Sequence, residues 1–315
     1  MSLVIASQME PQFNESLALL PLRPNIIAVP EDAPWDVAGS ADILLARPSV
    51  AWRESLRLSR PPVWPGRLRW VYSASVGVDF YPSWLLDAPL VTCGRGVASD
   101  EIADYVIAAI YARAKDLESV TARSLAQWKP VPLGRVSGTT VGIVGFGAIG
   151  SAVARRALAL GAQVTGVRRG ATPSAVPGVE LLPTVEAVVA VADHIVIALP
   201  ATPATRHMFN ADLLARARPG AHLINVARGS VIDQAALMDA LDRGGLDFAT
   251  LDVTDPEPLP EGHRLYTHPR VRLTPHVSSN HLMVRHRLFD KVADDITRFA
   301  RGEQPSDIVD PVRGY

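Results

Sequence analysis

The stretch TVGIVGFGAIGSAVARRALALGAQV, from Thr140, constrains the fold of this chain more than any other. An apolar run leads into Gly145, Gly147 and Gly150 in G-x-G-x-x-G spacing, followed by an alanine-rich amphipathic segment and a second apolar run. Glycines alone are common in turns; the spacing gains meaning because a strand enters it and a helix leaves it. Gly145 would permit the tight turn, Gly147 would let the backbone approach a pyrophosphate, and Gly150 would let the helix pack on the strand. The helix N-terminus, with the amides of Ala148 and Ile149, would then face the phosphates. The competing reading is an ordinary strand–turn–helix whose glycines serve packing.

The same alternation extends along the chain. Strands are expected at LVIAS from Leu3, IIAVP from Ile26, ILLAR from Ile43, WVYSAS from Trp70 and LVTC from Leu90. A second series from Thr139 gives TVGIVG, QVTGVRR, HIVIALP, HLINVAR, FATLDV and VRLTPHV. Short β-branched runs alternating with amphipathic segments imply parallel sheets wound with helices, an α/β protein. A helix is expected from near Ser99, with Ser99 as its cap, and a last one from Asn280 to Arg301. Residues 117–138 have poor periodicity, with Trp128, Pro130 and Pro132, and read as an extended arm. The tail QPSDIVDPVRGY is expected on the surface.

At 315 residues, two domains are expected. A net charge of −1 gives no electrostatic case for a nucleic-acid partner or an anionic membrane. Any anionic ligand must therefore be held by a few local cations. Of the 31 basic residues only Lys115, Lys129 and Lys291 are lysines, an arginine bias that reads as codon usage rather than a binding patch. Cys93 is the sole cysteine, which excludes disulfides within the chain, argues against a cysteine-based metal site and fits a reducing compartment. The N-terminus lacks a secretory pattern and Val185–Pro200 is too short and too polar to span a membrane, so a cytoplasmic location is expected.

The end of the second strand of the glycine unit addresses the cofactor. A reader of NAD places Asp or Glu there, on the ribose 2′-hydroxyl. This chain has VTGVRRG, with Arg168 at that position and Arg169 beside it. A guanidinium can bind a 2′-phosphate through paired hydrogen bonds. The expectation is NADP(H) preferred, with NAD(H) possible; two solvated surface arginines are the alternative.

Three further motifs end strands in the second half: INVARGSVID with Arg228, LDVTDPEPLP with Asp252 and Glu257, and LTPHVSSN with His276. Singly, each fits a bland role: a salt-bridged arginine, a solvated acidic loop, a structural histidine. Together they fall where ligands sit in an open parallel sheet, beyond the C-terminal strand ends. Their chemistry also fits one reaction, hydride transfer at C2 of a 2-keto or 2-hydroxy acid. His276 could serve as acid in reduction and base in oxidation. Glu257 beside it would favour the imidazolium. Arg228 could hold the substrate carboxylate and polarise the keto oxygen.

On these residues the chain resembles the D-isomer-specific 2-hydroxyacid dehydrogenases, over roughly residues 70–315. The matching stretches are SASVGVD, VGIVGFGAIG, LPATPAT, NVARG, LDV…EP and TPHV. The resemblance implies two doubly wound parallel-sheet domains, a flavodoxin-like substrate domain (1–98 plus 280–315) and a Rossmann cofactor domain (99–279), with the active site in a cleft between. It implies catalytic roles for Arg228, Glu257 and His276, and carboxylate binding by the backbone of Val76 and Gly77. It further implies contact of Asp252 with the nicotinamide carboxamide, makes Pro200, Thr205 and Ala227 further cofactor candidates, and implies a homodimer formed through the cofactor domain. No metal is expected.

Asp104 stands where the family more often has Glu, with little consequence expected. Arg47, Pro48 and Ser49 are candidates for the specificity pocket. AQWKP, with Trp128, is similar to the glyoxylate/hydroxypyruvate reductase branch, whose arm tryptophan can approach the partner's active site; packing of the dimer arm is the other reading. A small keto acid is thus expected as substrate. Phosphite or bulkier-acid oxidoreductases of the same superfamily, and a nucleotide-sensing corepressor, remain as alternatives. A glutamine-partnered formate oxidase fits less well, since Glu257 holds that place.

Overall fold

The computed structural model describes residues 2–170, 173–279 and 281–315. The chain divides into two compact units, Met1–Val97 with His281–Tyr315, and Ala98–Asn280.

The first unit carries β1 (Val4–Ser7), α1 (Pro11–Ala18), β2 (Asn25–Ala28), β3 (Ile43–Ala46), α2 (Val50–Ser55), β4 (Trp70–Ser73) and β5 (Val91–Cys93). The strands are all parallel, in the order β2-β1-β3-β4-β5, the doubly wound flavodoxin-like order. Side chains alternate across the strands. One set, with Leu44, Ala46 and Val71, packs on an aromatic cluster of Trp52, Trp64, Tyr81 and Trp84. On the C-terminal helix (His281–Ala300), Phe289 meets Phe13 and Phe299 meets Trp70.

The second unit carries α3 (Ser99–Lys115), β6 (Thr140–Val144), α4 (Ala148–Ala159), β7 (Gln163–Val167), β8 (Val179–Leu181), α5 (Val185–Val191), β9 (His194–Ile197), α6 (Ala211–Leu214), β10 (His222–Asn225), α7 (Gln234–Asp242), β11 (Phe248–Leu251) and β12 (Val271–Leu273). Its seven parallel strands run β12-β11-β10-β9-β6-β7-β8, with the order reversing at β6 as in a Rossmann sheet. Consecutive residues feed opposite cores: Ile195, Ile197 and Leu223 join Leu213, Leu237 and Leu241, whereas Val196 and Ile224 join Ile102, Val106 and Val153. Burial on both faces explains why Ile195–Ile197 reads as an unbroken apolar run with no polar alternation.

Every strand expected from the sequence forms, and four details differ. Ser99 is the first helical residue rather than the cap; Ala98 takes the cap position without a side-chain bond. The edge strand β8 is not expected from the sequence: its VEL has only two apolar residues, Val179 and Leu181, half-buried on one face, with Glu180 exposed on the other. The last helix starts at His281; Asn280, its expected start, lies outside the described residues. The tail is also less superficial than expected. Ile308 forms an antiparallel bridge to Thr92, the amide of Val309 donates to the carbonyl of Val91, and the Val309 side chain is buried. It covers the outer edge of β5, whose backbone groups otherwise lack a strand partner.

Residues 117–138 are irregular, with a single 3-10 turn at Leu125–Gln127, and Leu125 and Trp128 are exposed. Asp104 and Asp100 both bind Arg156, tying α3 to α4. Cys93 is a buried free thiol. Among the described residues no helix is long and apolar enough to cross a membrane, and no group of His, Cys, Asp and Glu could hold a metal ion.

Candidate active site

The order of the second sheet puts β6, β9, β10, β11 and β12 side by side. The glycine loop, the LPATPAT loop, Arg228, Asp252 with Glu257, and His276 therefore all follow the C-terminal ends of successive neighbouring strands.

The glycine loop has the shape its spacing predicts. Gly145 adopts φ +101°, and a Cβ there would lie 2.6 Å from the backbone of Ala198. A Cβ on Gly150 would lie 2.6 Å from the carbonyl oxygen of Gly145, so helix α4 can press against the strand only without one. A Cβ on Gly147, in contrast, would meet nothing within 4 Å. That open face precedes Ala148 and Ile149, whose amides, as first-turn donors, have no partner within the helix. The loop thus fits a pyrophosphate. Arg168 and Arg169 follow β7 and are exposed, and the Arg168 side chain has no hydrogen bond or ion pair among the described residues. Pro200 is half-buried, and the Thr205 hydroxyl is turned inward, donating to the Pro200 carbonyl at 2.8 Å and accepting from the Thr202 amide at 2.8 Å. Ala227 is buried, its amide donating to the Asn225 side chain.

Three loops bring the proposed chemistry together. His276 Nδ1 lies 2.7 Å from Glu257 Oε1. With Nδ1 engaged, Nε2 is the nitrogen left to meet a substrate. Partial burial works to raise the Glu257 carboxyl, but the hydrogen bond and charge of His276, a backbone bond at Thr254 and the charge of Arg228 outweigh it. The net effect holds Glu257 below the usual carboxylate range, so it is an anion at neutral pH.

Arg228 is half-buried, and its Nη1 donates to the carbonyl of Ala227 at 2.8 Å. The Asn225 side chain braces the loop by donating to the Arg228 carbonyl at 2.9 Å. Gly229 decides how near the neighbouring loop can come: a Cβ there would lie 1.9 Å from the carbonyl carbon of Thr254. Any side chain at Gly229 would push the chain leading to Glu257 away from Arg228. Gln234 holds the same segment from α7, clasping both the amide and the carbonyl of Asp255.

His276 itself adopts φ +53°, the left-handed region, at a cost of about 1–2 kcal/mol for a residue with a Cβ. The turn around His276 is wrapped on Asp252. Its Oδ1 accepts from the Thr274 hydroxyl at 2.7 Å and the Val277 amide at 2.8 Å, and its Oδ2 accepts from the Ser278 amide at 2.9 Å. The Asp252 carbonyl takes the His276 amide at 2.9 Å. A carboxylate has about four acceptor sites. Three donors therefore leave Asp252 roughly one for a further partner.

In the first unit, Val76 and Gly77 lie in the loop after β4. The Ser73 hydroxyl bonds within the loop, and Ser75 Oγ donates to the Gly77 carbonyl at 2.7 Å. Neither the Val76 nor the Gly77 amide has an acceptor among the described residues. Arg47 is exposed just beyond β3, whereas Ser49 caps α2 by accepting from the Trp52 amide, a structural task. Sequence reasoning missed Gly229, Gln234, Thr274 and Tyr105; only the glycine had a local signal, its place directly after Arg228.

Comparison with known proteins identifies the family. Residues 106–278 match the family described as D-isomer specific 2-hydroxyacid dehydrogenase, NAD binding domain. The chain is 32% identical over 263 residues to glyoxylate/hydroxypyruvate reductase A of Serratia proteamaculans, covering 79% of this chain and 82% of that protein. It is similar in structure to a D-isomer specific 2-hydroxyacid dehydrogenase from Xanthobacter autotrophicus solved with NADPH and MES, with TM-score 0.82, 27% identity and 100% of both chains covered. It is also similar to an NADPH-dependent glyoxylate/hydroxypyruvate reductase from Sinorhizobium meliloti solved with NADP and sulfate, with TM-score 0.78, 26% identity and 100% of both chains covered. The chain therefore belongs to the D-isomer-specific 2-hydroxyacid dehydrogenase family, and it is an NAD(P)-dependent oxidoreductase acting on 2-hydroxy acids.

Proposed function

We propose that this enzyme is an NADP(H)-preferring reductase of a small 2-keto acid such as glyoxylate or hydroxypyruvate. The observation that carries the reading is the 2.7 Å pair of His276 and Glu257, on loops neighbouring that of Arg228.

A bound dinucleotide would supply the hydride for C2 of the acid in reduction and take it up in oxidation. The remaining work falls to side chains. As an imidazolium, His276 donates from Nε2 to the oxygen on C2 during reduction, and as a neutral ring accepts that proton during oxidation. Glu257 offsets the positive charge through Nδ1 and keeps the ring oriented. Arg228 holds the carboxylate and polarises the keto oxygen, a stabilisation that grows as charge develops there. The Val76 and Gly77 amides, which have no acceptor among the described residues, bind the carboxylate. In this reading residues 99–279 hold the dinucleotide, with Gly145, Gly147, Ala148, Ile149 and Gly150 on the pyrophosphate, and residues 1–98 with 280–315 hold the acid.

Arg168 supports the NADP(H) preference, as an exposed guanidinium without a partner among the described residues, where a carboxylate would repel a 2′-phosphate. Two structural neighbours solved with NADPH or NADP support the same reading. A cytoplasmic homodimer through the cofactor domain completes the proposal, and the exposed Leu125 and Trp128 of the arm are the apolar groups a second copy would cover.

The test is a panel of glyoxylate, hydroxypyruvate, phenylpyruvate and 2-ketoisocaproate with NADPH and with NADH. The expected result is turnover of the two small acids with kcat/KM higher for NADPH, and an NADPH/NADH ratio that falls by about tenfold in Arg168→Ala. A ratio at or below one, or a ratio untouched by Arg168→Ala, overturns the cofactor assignment. Preference for the bulky acids overturns the substrate class.

A further inference from the structure

We propose that Tyr105 and Thr274 are positioning residues, which hold the His276 turn in its working geometry through the buried carboxylate of Asp252. The inference rests on the reading of His276 as the proton donor.

Three side chains form a single chain of hydrogen bonds. The Tyr105 hydroxyl, on α3, lies 2.6 Å from Thr274 Oγ1, and Thr274 Oγ1 donates to Asp252 Oδ1 at 2.7 Å. A threonine hydroxyl has one proton, and the carboxylate takes it. Tyr105 is therefore the donor of the first link. Burial raises the Tyr105 hydroxyl above its ordinary value, so it keeps its proton wherever the enzyme is folded and active.

Asp252 is 1% exposed, and a charge so buried demands donors. It obtains them by drawing residues 274–278 around itself: the Thr274 hydroxyl, the Val277 and Ser278 amides on its carboxylate, and the His276 amide on its carbonyl. His276 sits within this wrap, at φ +53°, with its ring aimed at Glu257. Neither the strain nor the aim follows from the residues beside it in sequence. Removing the Thr274 hydroxyl leaves Asp252 Oδ1 with one donor and the Tyr105 hydroxyl without its acceptor, two defects at the base of the turn. The glycine loop between β6 and α4, where the pyrophosphate would bind, lies on other strands and shares none of these bonds.

The experiment measures kcat, KM for glyoxylate and Kd for NADPH in Thr274→Val, Thr274→Ser, Tyr105→Phe and the Tyr105→Phe/Thr274→Val double variant. A ring displaced by a fraction of an ångström should lower kcat about tenfold in Thr274→Val, with NADPH Kd within about twofold of wild type. Thr274→Ser, which restores the hydroxyl, should recover kcat to within about twofold, and Tyr105→Phe should lose about threefold. Because the links are in series, the double variant should be no worse than Thr274→Val alone. Wild-type kcat in Thr274→Val, multiplying losses in the double variant, or failure of Ser to rescue would each overturn the proposal. If Thr274→Val does not fold, Tyr105→Phe with Thr274→Ser decides the matter. An active His276→Ala enzyme would instead remove the reading of the site on which the inference depends.

Discussion

The two ends of the seven-stranded sheet treat histidine in opposite ways. Beyond the C-terminal ends, His276 is half-exposed, sits in the left-handed region and meets a carboxylate. At the N-terminal ends, His194 and His222 begin β9 and β10 as register partners, with ring centroids 5.7 Å apart. Both are buried; among the described residues neither Nδ1 has a partner, and His222 Nε2 pairs with the Thr250 hydroxyl at 2.9 Å. Desolvation pushes His194 down to about 4, despite Asp193. It pushes His222 down to about 3, helped by the positive charges of His194, Arg113 and Arg272. Residue type therefore does not mark the proposed reacting centre. Its environment does: a compensating carboxylate, one ring nitrogen left over, and a left-handed turn wrapped around Asp252.

Two changes sharpen this contrast without touching His276. The larger is Glu257→Gln, which keeps the shape of the pair and removes its charge. Turnover of a 2-keto acid should fall about a hundredfold with NADPH binding preserved, as steady-state kinetics and cofactor titration would show. An enzyme left within a few-fold of wild type would mean that charge compensation by Glu257 is not needed.

The smaller concerns stability. Both buried histidines have folded-state values below the unfolded value near 6.5, so the unfolded chain binds protons that the native one refuses. Their contribution is intact above about pH 7 and is lost as pH falls from about 6.5 towards 4. Urea unfolding at pH 7 and pH 5 should show a loss of about 2 kcal/mol for each histidine. His194→Leu should remove about half of that slope and leave kcat unchanged. An unchanged slope would show that His194 is not held neutral by burial.

Much of this was legible in the residues themselves. Strands buried on both faces announced themselves as apolar runs, and the glycine loop stood out because a strand and a helix flank it. Arg228, Glu257 and His276 became persuasive only as a set, at the ends of strands that turn out to be adjacent. What stayed hidden depends on distance in sequence or on space. Tyr105 meets Thr274 across 169 positions, and no local pattern records that bond. The need for glycine at 229 arises from the backbone of Thr254, which only the packed sheet brings near. The edge strand β8 offers only two apolar residues to mark it, and Val309 reads as tail until the open edge of β5 is in view.

The most direct test of the account is His276→Ala, measured in single-turnover reduction of glyoxylate alongside NADPH binding. The account predicts a loss of about a thousandfold in the reduction rate, with NADPH affinity within about twofold of wild type. Reduction at a rate near that of the unaltered enzyme would contradict it.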